Sequence, residues 1–194
     1  MIDLASAVRR TYHEGPKNEL INGVSYISPG PCVNHHDVAF NIGVFFRSKL
    51  KGSTYRVFID SLSLHLSEEN IFVPDVMVVC DTSIIKVNGI YGAPDLVAEV
   101  LSPSSNKRDR VDKKKAYEKF GVKEYWIVDI KNKSVEVYVL ERGRLLAHNV
   151  HTIIPQYELD SMSDEDRAAI AYKFTASIFE GFMIDIRDIF EGID

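Results

Sequence analysis

The sequence lacks several features that mark common protein classes. Only two cysteines, Cys32 and Cys80, occur in 194 residues, and no Cys-x-x-Cys pair is present. This excludes a disulfide-rich scaffold and a cysteine-rich zinc site. No apolar run approaches the roughly 18 residues that span a bilayer, and Met1 to Thr11 has no apolar core of a signal peptide. We therefore expect a cytoplasmic protein with two plain thiols.

An excess of positive charge is also missing. Lys and Arg number 23 against 28 Asp and Glu, which gives a formal net charge of -5 at pH 7. This balance counts against a nucleic-acid coat protein, whose domain is usually basic, but it does not exclude a local basic patch. The sequence contains no Gly-rich phosphate loop, Gly-x-Ser-x-Gly elbow or His-Glu-x-x-His pattern. It therefore gives no support to the enzyme classes that those motifs mark.

What the sequence does contain is typical of a globular domain. Hydrophobic residues make up 45% of the chain and charged residues 26%, which suits a sizeable core. No internal repeat, linker or low-complexity segment divides the chain. We therefore expect residues 1–194 to form a single domain of the mixed α/β (α+β) class.

Helix and strand signals alternate along the chain. Asn22-Gly23 lies between two apolar runs and predicts a hairpin, and Arg142-Gly143 marks a second turn. Asn34 is expected to cap a helix that ends before Gly52. The other predicted elements are a helix over 4–13, strands over 55–59, 73–80 and 95–101, a helix over 109–120, strands over 124–130, 134–140 and 144–150, and a helix start at Ser163.

Two acidic residues interrupt strands that are otherwise apolar. Asp75 follows Pro74 in VPDVMVVCD, and Glu99 lies in the middle of DLVAEVL. A buried carboxylate is costly unless it is paired or binds a metal. For one such residue a wet sheet face or a lysine partner is the commoner explanation. If the two strands pair across residues 81–94, however, the carboxylates lie side by side, where a divalent cation such as Mg2+ would relieve their repulsion.

A lysine on the helix over 109–120 is the third unusual residue. At about 3.6 residues per turn, Lys113 falls in the middle of the apolar face formed by Ala116, Tyr117 and Phe120. Two explanations remain open at this stage. The side chain snorkels, with its stem over apolar surface and its ammonium in water, or it supplies a fixed positive charge to the carboxylate pair or to an anion bound there.

Four segments together resemble a known family. Pro74-Asp75, GAPDLVAEVLSPSS, RDRVDKKKAYEKFGVKEYWIVD and the closing IFEGFMIDI are similar to the Uma-two family of "putative restriction endonucleases", a branch of the PD-(D/E)XK nuclease superfamily. The resemblance extends to NELINGVSYISPGP and HHDV, whereas residues 153–175 depart from the family pattern. It implies a restriction-endonuclease-like fold, which is a mixed β-sheet flanked by helices.

The resemblance also implies roles for individual residues. Asp75 and Glu99 match the two acidic members of the superfamily motif. The motif lysine usually lies two residues after the second acid, where this chain has Leu101. In the family it is displaced onto the next helix, and the matching residue is Lys113.

Two further residues come from the N-terminal part of the resemblance. Glu19 matches the glutamate of a Tyr-Glu-Leu-Ile-like stretch and is the fourth candidate catalytic residue, although Asn18 stands in place of the usual tyrosine. His35 matches a recurrent histidine. It is either catalytic or a helix-entry residue that bonds to the SPGP loop.

The activity that the resemblance implies is metal-dependent hydrolysis of phosphodiester bonds, most simply in DNA. Asp75 and Glu99 would bind Mg2+ or Mn2+ with the Val100 carbonyl, and Lys113 would position the water or stabilise the developing charge. Basic residues around the site helix would meet phosphates unless they form an ordinary solvated face: Lys107, Arg108, Arg110, Lys114 and Lys115.

Three functions remain open on these grounds. The first is the nuclease, which would work as a homodimer because cutting both strands of a duplex commonly calls for two sites. The second is a catalytically silent nuclease-fold module that binds nucleic acid or a protein partner. The third is a hydrolase of another phosphoester or of a small nucleotide.

Overall fold

The strands of this chain form two six-stranded mixed sheets with helices packed against them. The computed structural model describes residues 17–28, 30–103, 105–179 and 181–193. Its elements in chain order are β1 (Lys17–Ile21), β2 (Val24–Ser28), α1 (Val33–Lys49), β3 (Arg56–Ile59), β4 (Leu64–Ser67), β5 (Asn70–Phe72), β6 (Val76–Val79), β7 (Ile85–Lys86), β8 (Gly89–Tyr91), β9 (Leu96–Val100), α2 (Lys114–Phe120), β10 (Glu124–Asp129), β11 (Ser134–Glu141), β12 (Arg144–Thr152), α3 (Gln156–Leu159), α4 (Asp164–Ala169), β13 (Lys173–Thr175), β14 (Met183–Asp185) and α5 (Ile186–Ile189). A π-helical turn, Arg108–Lys113, leads into α2.

The strand order places the predicted site strands in the middle of the second sheet. The first sheet has the order β2-β1-β5-β4-β8-β7 and the second has the order β12-β11-β10-β9-β6-β3. Only β4 with β8 and β9 with β10 pair in parallel within the described part of the chain. A third sheet pairs β13 with β14. The predicted mixed α+β class is therefore confirmed, with two large sheets where the resemblance implied one.

Apolar packing covers both faces of the second sheet. On one face, α1 and the C-terminal elements pack against it, and the rings of Phe46 and Trp126 lie 5.4 Å apart between their centroids. On the other face, α2 and the first sheet close a second core, where Tyr117 lies 5.0 Å from Tyr125. Strands β6 and β9 are buried along their whole length. Polar groups at their ends therefore lie close to a water-poor interior.

A buried carboxylate ties the C-terminal segment to this sheet. Glu124, at the start of β10, is fully buried. It accepts hydrogen bonds from Trp126 Nε1 at 2.6 Å, from Ser177 Oγ at 2.6 Å and from the Ile178 N–H at 3.2 Å. Because three donors surround the carboxylate, its burial is compensated. The segment after β13 is thereby fixed against the central strands.

Several local predictions are confirmed. The hairpin turn at Asn22-Gly23 has both residues in the left-handed region, with φ of 50° and 78°, as a type I′ turn requires. Ser163 caps α4 by accepting a hydrogen bond from the Asp166 N–H. The three consecutive strands β10, β11 and β12 pair as antiparallel neighbours. The helix predicted over 4–13 lies outside the described residues.

One prediction is wrong, and two strands were not predicted. Asn34 does not cap α1, because the helix already begins at Val33 and Cys32 is its N-cap, with no side-chain hydrogen bond. Cys32 has extended backbone angles that deliver the chain directly into the helix, which leaves Asn34 inside the first turn. The segment between the predicted strands over 55–59 and 73–80 is not a plain connection. It contains β4 and β5, whose alternation is too short to read in the sequence.

None of the helices in the described ranges is long and apolar enough to cross a lipid bilayer.

Candidate active site

Strand pairing brings Asp75 and Glu99 together, as predicted. Strands β6 and β9 are antiparallel with Val76 opposite Ala98, and one further step in that register sets Asp75 beside Glu99. Both residues are only 3% exposed. The Asp75 carboxylate reaches across to β9, where its Oδ2 accepts a hydrogen bond of 2.7 Å from the Val100 N–H.

The other oxygen of Asp75 is held by two nitrogen groups. Lys17 Nζ lies 2.5 Å from Oδ1, and His35 Nε2 lies 3.0 Å from the same atom. Burial raises the pKa of Asp75, but its close contact with His35 and the charge of Lys17 outweigh it and hold that pKa well below its usual range. Asp75 is therefore an ionised acceptor. His35 lies in the first turn of α1, and its ring contacts the Asp75 carboxylate.

Lys113 lies at the centre of a second group of carboxylates. Its Nζ is 2.8 Å from Glu19 Oε1, 3.1 Å from Glu99 Oε1 and 3.3 Å from Asp109 Oδ1. Lys113 is 3% exposed, so the snorkelling explanation is wrong. Burial lowers its pKa, but the charges of the three carboxylates outweigh this and raise the pKa well above its usual value. The surrounding carboxylates therefore favour the charged form of the ammonium group.

Hydrogen bonds from neighbouring groups fix this second group of carboxylates. Glu19 Oε1 accepts from the Val73 N–H at 3.0 Å, and Glu99 Oε1 accepts from the Tyr117 hydroxyl at 2.7 Å. The Asp109 carbonyl accepts from the Tyr125 hydroxyl at 3.0 Å. Asp109 lies in the π-helical turn Arg108–Lys113, a rare conformation that often occurs at functional sites.

Three charged residues of the site were missed by sequence reasoning. Asp109 lies four residues before Lys113, a helical spacing that the sequence displays. Lys17 lies two residues before Glu19, which places both on one face of β1. Asp60, whose Oδ1 is 3.0 Å from Lys17 Nζ, gave no signal because its position depends on the long-range pairing of β3 with β6.

The described site carries more negative than positive charge. Its five carboxylates face two ammonium groups, those of Lys17 and Lys113, which leaves three more negative than positive charges when all are ionised. The carboxylates are those of Glu19, Asp60, Asp75, Glu99 and Asp109. Burial raises the pKa of Glu99 to about 8; Lys113 opposes the rise, and the nearby carboxylates, Asp109 foremost, reinforce it.

The raised pKa predicts that Glu99 makes the metal-free protein less stable as the pH rises. The folded state holds the Glu99 proton more tightly than the unfolded state. Its stabilisation is therefore complete below pH 4.5 and is lost as the pH rises through about 8. Glu99→Gln keeps an oxygen acceptor for Lys113 and Tyr117 but does not ionise. In EDTA, we expect the unfolding midpoint of the wild type to fall more between about pH 5 and about pH 8 than that of the variant. Identical pH profiles would contradict the shift.

A cleft of about 920 Å³ opens onto both carboxylate groups. Its lining also includes the charged residues Asp129 and Lys131 and the polar residues Asn34, Ser102, Ser105, Asn106 and Asn132. Its volume lies within the range of small-molecule and cofactor sites. The four candidate catalytic residues, Glu19, Asp75, Glu99 and Lys113, all line it.

The predicted basic patch is not a uniform array. Arg108 donates to Ser28 Oγ at 2.8 Å, Arg110 forms an ion pair with Glu136, and Lys114 Nζ lies 4.2 Å from the centroid of the Tyr138 ring. Lys107 and Lys115 are exposed. Three of the five basic residues thus have partners within the protein. Contact of the five residues with nucleic acid stays a prediction.

The donor chemistry of the site fits a hard divalent cation. Asp75 and Glu99 offer carboxylate oxygens, which Mg2+ and Mn2+ prefer, and the excess of negative charge favours a cation. In the residues that the structure describes, however, no three His, Cys, Asp or Glu side chains are already arranged as a metal site. Instead, Lys17 is paired with Asp75 and Lys113 with Glu99.

Comparisons with known proteins match this chain to a family and to a curated relative. Residues 6–180 match the model of the Uma2 family, described as "Putative restriction endonuclease". An "Uncharacterized protein" of Synechocystis sp. is 31% identical over 102 residues, which cover 52% of this chain and 54% of that protein. The chain thus spans about half the length of that curated relative.

A solved structure shows the same fold. The crystal structure of "a putative nuclease belonging to DUF820" from Anabaena variabilis matches with a TM-score of 0.69 at 20% identity, covering 95% of this chain and 96% of that chain. At this identity the match concerns the fold alone. Because the family match extends over most of the sequence, this chain belongs to the Uma2 family.

Proposed function

We propose that this protein is a metal-dependent endonuclease that hydrolyses phosphodiester bonds in DNA. Membership of a family described as a restriction endonuclease supports a nuclease. The observation that carries the proposal is the convergence of Glu19, Asp75, Glu99 and Lys113 on one cleft. Carboxylates that can hold a metal, beside a fixed ammonium group that can stabilise developing charge, suit metal-dependent phosphodiester hydrolysis.

Asp75 and Glu99 would hold Mg2+ or Mn2+, together with the Val100 carbonyl. The ion, when bound, supplies a more acidic water and positive charge for the phosphoryl oxygens. Asp75 is prepared for this role because its ionised carboxylate is oriented by the Val100 N–H and by His35. His35 is therefore a positioning residue in this proposal.

Lys113 would stabilise the negative charge that grows in the transition state. Its ammonium is charged and buried, and its three carboxylate partners fix its position. A preorganised charge in a water-poor site acts strongly, because little reorganisation is needed as the reaction proceeds. Glu19 contributes by holding Lys113 while the Val73 N–H holds Glu19 itself.

DNA is proposed as the substrate, and a homodimer as the working form. Lys107 precedes the π-helical turn and Lys115 lies on α2. Both are exposed and would contact phosphates. Two copies would supply the two sites that cleavage of both strands calls for.

One observation favours a second candidate function. Asp75 is already paired with Lys17, and Glu99 is already paired with Lys113. A site whose two motif carboxylates are already paired with lysines also suits a catalytically silent module that binds nucleic acid or a protein partner.

A cleavage screen tests the proposed function. Purified protein is incubated with supercoiled, linear and single-stranded DNA and with RNA, in Mg2+, Mn2+ or EDTA. We expect nicked and linear products from supercoiled DNA with Mn2+ or Mg2+, and none in EDTA. An Asp75→Asn preparation serves as the control for contaminating nucleases. If no nucleic acid is cut with either metal while DNA still binds, the silent module replaces the nuclease.

A further inference from the structure

Lys17 occupies the place at Asp75 that a metal would need. Its Nζ is 2.5 Å from Asp75 Oδ1. A divalent ion coordinated to the same oxygen would lie about 2.1 Å from it, so the two cations would be at most about 5 Å apart. In a cleft that is partly shielded from water, like charges at that distance repel strongly. Lys17 and the metal therefore compete for Asp75.

Asp60 is a second partner of Lys17, and it is not one of the motif carboxylates Asp75 and Glu99. Asp60 Oδ1 lies 3.0 Å from Lys17 Nζ, so the ammonium bridges Asp60 and Asp75. The Lys17 and Asp60 side chains are 17% and 24% exposed, against 4% for Lys113. Lys17 thus lies at the rim of the cleft, where a flexible stem can shift, whereas Lys113 is enclosed by three carboxylates.

The backbone holds Asp60 in a fixed place beside Asp75. The Asp60 N–H donates to the Asp75 carbonyl at 2.8 Å. Asp60 and Ser61 both adopt positive φ angles, 48° and 60°, which are uncommon for residues other than glycine. The Ser61 N–H donates to Asp60 Oδ1 at 2.8 Å. Two successive residues in this region are tolerated only where surrounding contacts enforce them.

We propose that Lys17 is a built-in competitor of the metal at Asp75, and that Asp60 is the partner to which its ammonium withdraws when the metal binds. This inference rests on the proposed function, because it takes Asp75 as a metal ligand. In the metal-free protein Lys17 pairs with the Asp75 carboxylate and holds it in place. In the metal-bound protein Asp60 retains Lys17, so that the lysine is not driven into solvent.

Calorimetric titration of Mn2+ into four proteins tests the proposal. Lys17→Met, which keeps most of the apolar stem, should bind Mn2+ about tenfold more tightly than the wild type, because a competing charge is lost. Asp60→Asn should bind Mn2+ several-fold more weakly, because Lys17 loses its alternative partner. Asparagine tolerates the left-handed backbone at this position, so the Asp60 variant should fold. The double variant should bind as tightly as Lys17→Met alone.

The double variant separates competition from direct ligation. If Asp60 were itself a metal ligand, Asp60→Asn would weaken Mn2+ binding equally with and without Lys17, and the proposal would be overturned. The proposal would also be overturned if Lys17→Met bound Mn2+ with the wild-type affinity. If Lys17→Met does not fold, an unchanged Mn2+ affinity in Asp60→Asn would overturn it instead. Lys51→Met, at an exposed lysine that is not part of the site, is the matched control and should leave Mn2+ affinity unchanged.

The same titrations distinguish the inference from the proposed function. Wild-type cleavage with Mn2+ but equal affinities in all four proteins would leave the nuclease standing and remove the role of Lys17. Opposite shifts in Lys17→Met and Asp60→Asn without cleavage of any nucleic acid would support Lys17 as the competitor and remove the nuclease. Absence of Mn2+ binding in every protein would overturn the competition outright.

Discussion

A Lys113→Met variant is expected to cleave DNA about 100- to 1,000-fold more slowly than the wild type while it still binds Mn2+ and DNA. Removal of one preorganised charge that acts mainly in the transition state typically has an effect of this size. Met keeps much of the stem that packs in the core. The measurement is the single-turnover cleavage rate at saturating Mn2+, with DNA affinity determined separately in Ca2+ or EDTA.

Lys113→Met also has an expected structural effect, which must be measured alongside the rate. Glu19, Glu99 and Asp109 lose a common partner, and breaking a buried ion pair typically costs about 3–5 kcal/mol. We expect a clear fall in melting temperature in EDTA. Mn2+ should recover part of it, because a divalent cation compensates the unpaired carboxylates.

Lys115→Met is the control for charge alone. Lys115 is exposed and lies two residues after Lys113, so its loss should weaken DNA binding modestly and lower its salt dependence. If Lys115→Met slows single-turnover cleavage as much as Lys113→Met does, the catalytic role of Lys113 is wrong. The same conclusion follows if Lys113→Met cleaves at the wild-type rate.

The wild-type melting temperature should rise with Mn2+ concentration, and the double variant Asp75→Asn with Glu99→Gln should show no rise. A ligand that binds only the folded state at 100 times its Kd adds about 2.7 kcal/mol to the free energy of unfolding. Without its two carboxylate charges the site holds a divalent cation weakly. Differential scanning calorimetry over a Mn2+ series measures both curves.

The single variants should move the metal-free melting temperature in opposite directions. Asp75→Asn loses the ion pair with Lys17 and should melt lower, because Asp75 is stabilised in its ionised form. Above neutral pH, Glu99→Gln should melt higher, because it removes a buried charge that its surroundings disfavour. Glu141→Gln, at an exposed carboxylate of β11, is the control. A wild type indifferent to millimolar Mg2+ and Mn2+ would exclude a metal at Asp75 and Glu99.

The parts of the site that the sequence predicts are those governed by local periodicity. Period-two alternation made Glu99 conspicuous within β9, and a helical wheel turned Lys113 inward. The structure agrees in both cases. Adjacency of Asp75 and Glu99 followed from a single assumption, that their strands pair across one connection. The Asp75 partners Lys17 and Asp60 were not found, because they come from strands distant in sequence.

The fold, too, could be predicted only where it depends on local sequence patterns. Strands with long apolar runs, such as β10 and β11, and turns with a glycine at a left-handed position could be read directly. Short strands such as β5 (Asn70–Phe72) could not, since three residues carry no measurable period. The first sheet is built largely from such pieces. Its existence depends on long-range pairing, which no local pattern encodes.

The contribution of the C-terminal elements to the core has a consequence for the order in which the protein matures. Among the described residues, 23 buried side chains form the core on the α1 side of the second sheet, and eight of them come from the chain after β12: Phe174, Ala176, Phe179, Ile184, Ile186, Ile189, Phe190 and Ile193. Ala98 and Val100, the neighbours of Glu99 on β9, belong to the same core. A nascent chain synthesised only as far as β12 already carries every candidate catalytic residue but lacks one wall of the core behind Glu99. During synthesis the site is therefore complete in sequence well before it is rigid.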